Sequence, residues 1–156
     1  MLRLDVPGFR SLHLEHLVLD FNGTLACDGK LIHGVAEQFV RLAQNLSIHV
    51  ITADTHGSAV RQLASLPCQT LIIPAALQDQ AKAGFLAQLG ADQTVAVGNG
   101  RNDRLMLENA ALGIAVIQSE GAACVAIQAA DLVVNDILAA FELLSNPKRL
   151  IATLRN

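Results

Sequence analysis

Tryptophan and tyrosine are absent from this 156-residue chain, and only five phenylalanines stand in for them. A surface that stacks on bases has little to build with, and the net charge of −3 offers no field for a polyanion, so nucleic acid is excluded as a partner. Basic residues do not cluster beyond Lys148-Arg149, which argues equally against an anionic membrane surface. The longest apolar run falls short of the ~18 residues a membrane span needs, and the first ten residues, MLRLDVPGFR, lack the apolar stretch of a signal peptide. Cysteines number three, Cys27, Cys68 and Cys124, with no CxxC pair, as suits free thiols in a reducing cytoplasm.

What the chain has in excess is apolar aliphatic residue, 52% of its composition counted with alanine and cysteine. At this length a single domain over residues 1–156 buries roughly 70% of its extended-chain surface and needs no disulfide or metal staple. Apolar content this high for a small chain points to a sticky face and a homo-oligomer. Continuous apolar runs recur at HLVLD (16–20), SIHVIT (47–52), TLIIP (70–74), TVAVG (94–98), LGIAVI (112–117) and DLVVN (131–135). Strands without a polar face are covered on both sides, the signature of a parallel sheet. Helical spacing fills the gaps at 34–46, 56–66, 79–90 and 102–112. This alternation predicts a doubly wound, Rossmann-like parallel sheet in a three-layer α/β/α sandwich. Two small hairpins are predicted besides: one about Pro7-Gly8 covering a sheet edge, and one at residues 26–32 turning at Asp28-Gly29 as a flap.

In a doubly wound sheet the ligand crevice lies beyond the carboxyl ends of the strands. Polar residues stand at those ends: Asp20, Asn22 and Thr24 after the first core strand, Thr52 and Asp54 after the second, and Asn99, Asn102 and Asp103 after TVAVG; Lys82 lies early in a helix. A carboxylate can attack phosphorus, a hydroxyl and an ammonium can hold the transferring oxygens, and carboxylate or amide oxygens can hold Mg²⁺. Taken one at a time, aspartate and asparagine at strand ends are ordinary turn and cap residues.

Together these residues resemble the haloacid dehalogenase superfamily of aspartate-nucleophile phosphohydrolases. Asp20-Phe-Asn-Gly-Thr-Leu25 is similar to its first motif, Thr52 to the second, Lys82 to the third and Gly98-Asn-Gly-Arg-Asn-Asp103 to the fourth. The forms D-F-N-G-T, T-A-D and G-N-G-R-N-D are most similar to those of P-type ATPases, and the whole chain resembles the small soluble P-type-ATPase-like members of the superfamily. The resemblance runs from about residue 16 to 135. It implies Mg²⁺-dependent phosphoryl transfer through Asp20, with Thr52, Lys82, Gly23 and Asn102 binding phosphate and Asp20, Asn22, Asn99 and Asp103 around the metal. The substrate it implies is a phosphorylated small molecule or a phosphoprotein.

Two positions depart from the pattern. Asn22 occupies the place where most phosphatases of the superfamily carry a general acid/base, and an amide can neither protonate a leaving group nor deprotonate water. General acid-base help is worth ~10² to 10⁴ in rate, roughly 3 to 5 kcal/mol, so turnover is expected to be slow or confined to good leaving groups. Asn99 replaces a metal-binding Asp and leaves the pocket with less negative charge. The alternative these asparagines support is a catalytically degenerate protein that binds phosphate or a protein partner. Only 31 residues separate Asp20 from Thr52 and 29 separate Thr52 from Lys82, which leaves no room for a cap domain. A phosphorylated receiver domain and a dinucleotide-binding fold both fail: the first needs an acidic pair ahead of a later strand, and the second needs a third glycine where Asp103 stands. His13, His16, His33 and His49 read as surface or packing residues, while His56, just after the second motif, is a candidate for substrate contact.

Overall fold

A computed structural model describes residues 1–54 and 57–156, so the expectation for His56 lies outside the described residues. The chain runs β1 (Leu2–Val6), β2 (Arg10–Leu14), β3 (His16–Asp20), β4 (Ala26–Cys27), β5 (Lys30–Leu31), α1 (Val35–Leu42), β6 (Ser47–Thr52), α2 (Ser58–Leu63), β7 (Gln69–Ile72) and α3 (Gln78–Leu89). It continues through β8 (Thr94–Gly98), a 3₁₀ turn at Arg101–Asp103, α4 (Arg104–Asn109), β9 (Leu112–Val116), α5 (Cys124–Ala129), β10 (Leu132–Val134), α6 (Ile137–Ser145) and α7 (Pro147–Leu154).

Six strands form one sheet in the order β10-β9-β8-β3-β6-β7, and every pairing in it is parallel. Leu17, Val18 and Leu19 of β3 are fully buried, which requires a layer on each face. Leu17 and Leu19 meet Val35 and Phe39 of α1 and Ile137 and Phe141 of α6 in one cluster; Val18, pointing the other way, packs with Leu86 of α3, Met106 of α4 and Ala126 of α5. The predicted three-layer sandwich is therefore present, and no domain is inserted over the strand ends among the described residues.

The first hairpin forms as predicted, with Leu2 paired to Leu14 and Val6 to Arg10, but it does not cover a sheet edge. The edges are β7 and β10. The hairpin instead closes the amino-terminal end of the sheet. Glu15 N donates to Gln93 O ahead of β8, its carbonyl accepts from Ser47 N at the start of β6, and Arg10 reaches Ala111 O and Asp131 ahead of β9 and β10. Its alternating pattern explains the placement: Leu4, Val6, Leu12 and Leu14 form one apolar face that joins the α1/α6 cluster, while the two strands satisfy each other's backbone and need no ladder with the sheet. Polar groups at the opposite, carboxyl end are thus left uncovered.

Candidate active site

Strand order reverses between β3 and β8: the chain leaves β3 toward β6 and β7, then returns across to β8, β9 and β10. This is where a doubly wound sheet opens a crevice, and Asp20 stands at the end of β3 beside Gly98 and Asn99 at the end of β8. Thr52, buried at the end of β6, lies one residue past Ile51, the register partner of Asp20. Three motifs are side by side because three parallel strands are.

Lys82 arrives from α3. It lies one turn inside the helix, and with Leu86 four residues on it makes the fully buried stripe of that helix, so the ammonium is driven under the strand ends rather than into solvent. Its Nζ donates to Asp20 Oδ1 and to Asp103 Oδ1, each at 2.6 Å, and its side chain has no exposed surface. Asp103 is equally buried; its second oxygen accepts the amides of Asn99 at 3.0 Å and Gly100 at 2.8 Å. Both Asp103 oxygens are therefore engaged by the protein, which fits a support for Lys82 better than the metal ligand expected from the sequence. Gly98 is required for this fold-back, because a Cβ there would lie 2.5 Å from the Asp103 carboxyl carbon.

Two carboxylates share one ammonium in a buried site. Burial, and next the charge of Asp103, push the Asp20 carboxyl up to about 7 against the pull of Lys82. Burial also works against the charge of Lys82, but the two carboxylates outweigh it and raise the ammonium above its ordinary value. With Asp20 ionised, two carboxylates face one ammonium, an imbalance that favours an added cation.

The far side of Asp20 is lined by neutral oxygens. Thr24 Oγ1 donates to Asn99 Oδ1 at 3.1 Å and approaches Asp20 Oδ2 at 3.5 Å; Asn99 Nδ2 donates to Gly121 O at 3.0 Å. Gly23, at φ +78°, passes so near Asn99 that a Cβ would lie 2.3 Å from its Nδ2. Its amide donates to Ala26 O, so Gly23 supplies room for Asn99 rather than a free donor for phosphate. Asn22 is exposed at the mouth. Asn102 is turned aside, its Nδ2 donating to Gln78 Oε1 at 2.7 Å rather than joining the Asp20 cluster. Asp54 N donates to Thr52 Oγ1 at 3.2 Å, while the Asp54 carboxylate accepts Val60 N in the first turn of α2.

Two glutamines with no motif of their own hold the surroundings. Gln62 of α2 pairs with the flap as a peptide would, donating to Gly29 O and accepting Leu31 N, each at 2.8 Å. Gln118, in the turn after β9, donates to the carbonyls of Gly23 and Thr24. Their composition gave no signal, since a glutamine's partners depend on which loops the topology brings within reach. The flap turn itself follows its sequence, with Asp28 and Gly29 both at positive φ. His16 and His49 contact each other at the start of β3 and within β6; His16 is four residues from Asp20, ~13 Å down the strand, which keeps this pair out of the site.

No family model matches the chain. Over 62 residues it is 53% identical to the uncharacterized protein MJ0073 of Methanocaldococcus jannaschii, covering 40% of this chain and 67% of that one, and it belongs to one family with that protein. Among solved structures it is similar to a putative HAD family hydrolase from Streptomyces avermitilis, with TM-score 0.68 and 18% identity over 91% of this chain and 86% of that one. The fold is that of haloacid dehalogenase hydrolases. A second structure of similar fold is 3-deoxy-D-manno-octulosonate 8-phosphate phosphatase from Moraxella catarrhalis in complex with magnesium and phosphate ions, at TM-score 0.66 and 18% identity over 92% and 94% of the two chains. A third is a zinc-transporting P-type ATPase, at TM-score 0.64 and 21% identity, of which the chain spans a fifth while 80% of its own length is matched. No helix among the described residues is long and apolar enough to cross a membrane.

Proposed function

We propose that this protein is a phosphohydrolase in which Asp20 takes the phosphoryl group from a phosphate ester or acyl phosphate and then yields it to water. The observation that carries the reading is Lys82 held at 2.6 Å from both Asp20 and Asp103 at the topological switch point, with Thr52 on the next strand end. An isolated buried lysine would lose its proton; this one is kept charged beside the nucleophile, where it can hold a transferring oxygen.

The oxygens around Asp20 fit Mg²⁺. Asp20 Oδ2 has a long contact with the Thr24 hydroxyl, Asn99 Oδ1 converges on the same hydroxyl, and the Asn22 carbonyl accepts no hydrogen bond among the described residues. All are hard donors, as this cation prefers. When bound, Mg²⁺ offsets the repulsion between the carboxylate and the phosphate. It also favours ionised Asp20, whose carboxyl burial otherwise holds near 7. Asp103 then serves to fix Lys82. The Asp20 oxygen forms the bond to phosphorus as the leaving oxygen departs, and Thr52 and Lys82 hold the equatorial oxygens. Asn22 donates no proton, so the departing oxygen leaves as an anion or takes its proton from solvent.

Substrates are phosphorylated small molecules or phosphoproteins that can enter an uncapped mouth, and those with good leaving groups turn over fastest. Val40, Val60, Ile72 and Leu77 are apolar and exposed, which supports a homo-oligomer. Release of phosphate from acetyl phosphate and p-nitrophenyl phosphate, with and without Mg²⁺, tests the reading: wild type is expected to turn over only with the metal, and Asp20→Asn not at all. Equal rates for the two proteins would overturn it and favour a phosphate-binding or protein-interaction module, the reading that the neutral Asn22 and Asn99 support.

A further inference from the structure

The loop between β3 and β4 carries five carbonyls, at Phe21, Asn22, Gly23, Thr24 and Leu25, the last of which accepts Ile32 N at 2.9 Å. Phe21 O accepts the amides of Thr24, Leu25 and Ala26 at 3.3, 2.9 and 2.9 Å. Gly23 O and Thr24 O accept Gln118 Nε2 at 2.9 and 2.6 Å. Only the Asn22 carbonyl has no donor among the described residues. Gln118 completes its own bonding through Oε1, which accepts Ile137 N at 3.1 Å at the start of α6. A primary amide has two N–H groups and one carbonyl, and here the first two are spent on the loop and the last on a rigid helix.

This arrangement selects a loop conformation. With the Gly23 and Thr24 carbonyls drawn toward Gln118, the peptides on either side of Thr24 cannot turn over, and its hydroxyl stays aimed at Asn99 Oδ1. We propose that Gln118 is a positioning residue for the cation seat: by capping two carbonyls of the nucleophile loop it leaves the one at Asn22 to be presented to the ion, and through Thr24 it holds Asn99 in place. The inference rests on the Mg²⁺ seat proposed above and adds a residue from outside the four motifs. Gln118 touches neither phosphate nor the reacting atoms. It acts through the loop, as groups behind metal ligands do when their loss weakens binding by about 10- to 100-fold.

Calorimetric titration of the purified full-length chain with Mg²⁺ tests this without relying on turnover. Gln118→Leu and Gln118→Met remove both donors without adding charge, and Met keeps the length of the side chain. Asp136→Ala is the control: its carboxylate caps α6 through Ala139 N at 2.7 Å, so its loss loosens the same helix without freeing a loop carbonyl. We expect Mg²⁺ affinity to fall about tenfold in both Gln118 variants, with the Mg²⁺ concentration for half-maximal phosphate release rising in parallel. Asp136→Ala should stay within about twofold of wild type on the same scale. If Leu proves too disruptive to fold, Met carries the test. Wild-type affinity in a folded Gln118 variant, or an equal loss in Asp136→Ala, overturns the role of Gln118 while leaving the cation seat intact. A wild type that binds no Mg²⁺ overturns the seat and the inference together.

Discussion

In the proposed reaction Asp20 and Asn22, two residues apart, divide the chemistry between them. Asp20 is kept within reach of a proton by burial and by Asp103, and the sign of that shift has a measurable consequence. Its folded-state value, raised to about 7 from an ordinary 3.8, means that the native protein holds the proton more tightly than the unfolded chain. Stability from this group is therefore full below about pH 4 and is lost as pH rises through 7. Asp20→Asn carries no such charge, so without metal its melting temperature should gain on wild type between pH 4 and pH 8; a constant difference across that range would contradict the assignment. Asn22 governs the second half of the account. Asn22→Asp restores a group that can exchange protons at the mouth and is expected to raise turnover of alkyl phosphates at least about tenfold, a floor set below the ~10² to 10⁴ that a general acid contributes. No gain would move the limitation to Asn99 or to the open site. The importance of Asp20 was legible in the sequence only through its companions, since an aspartate after a strand is usually a turn former. The engagement of both Asp103 oxygens was not legible, because it depends on the 3₁₀ turn folding Asp103 back beneath Gly98.

At the scale of elements, the six sheet strands and four of the helices follow from apolar runs and helical spacing, with ends displaced by a few residues. Helix α1 stops at Leu42 rather than near 46, and α4 begins only after the 3₁₀ turn. Three elements had no place in the sequence reading. Helix α5 spans only six residues, too few to show a period, and α6 and α7 follow the last predicted strand. Yet α6 buries Ile137, Ala140, Phe141 and Leu144 at helical spacing behind an Asp136 cap, so its signal was present and was masked by a nearly uniform apolar run. A glycine tests how tightly one such helix is seated. Gly113, the second residue of β9, meets the backbone of α4, and a Cβ there would lie 2.3 Å from Leu107 O. Gly113→Ala should cost about 2 kcal/mol or more in denaturant unfolding, since backbone cannot yield as a side-chain tip can. A neutral substitution would mean that α4 is free to shift.

The molecule as a whole is polar in function at one end and structural at the other. The Pro7-Gly8 hairpin closes the amino ends of the strands, while the carboxyl ends carry Asp20, Thr52 and Asn99, and the flap that follows the Asp20 loop is held by Gln62. The order of the motifs along the chain, with short intervals between them, made the missing cap legible from residue numbers alone. The location of the hairpin was not, because its alternating pattern specifies which face is buried but not against what. Everything distinctive in this account meets at one covalent bond. Wild-type protein, incubated with Mg²⁺ and acetyl phosphate, quenched in acid and reduced with borohydride, should carry its modification on the peptide containing Asp20, and Asp20→Asn should carry none. Phosphate release without any adduct at Asp20, or an adduct that persists in Asp20→Asn, would contradict phosphoryl transfer through this residue.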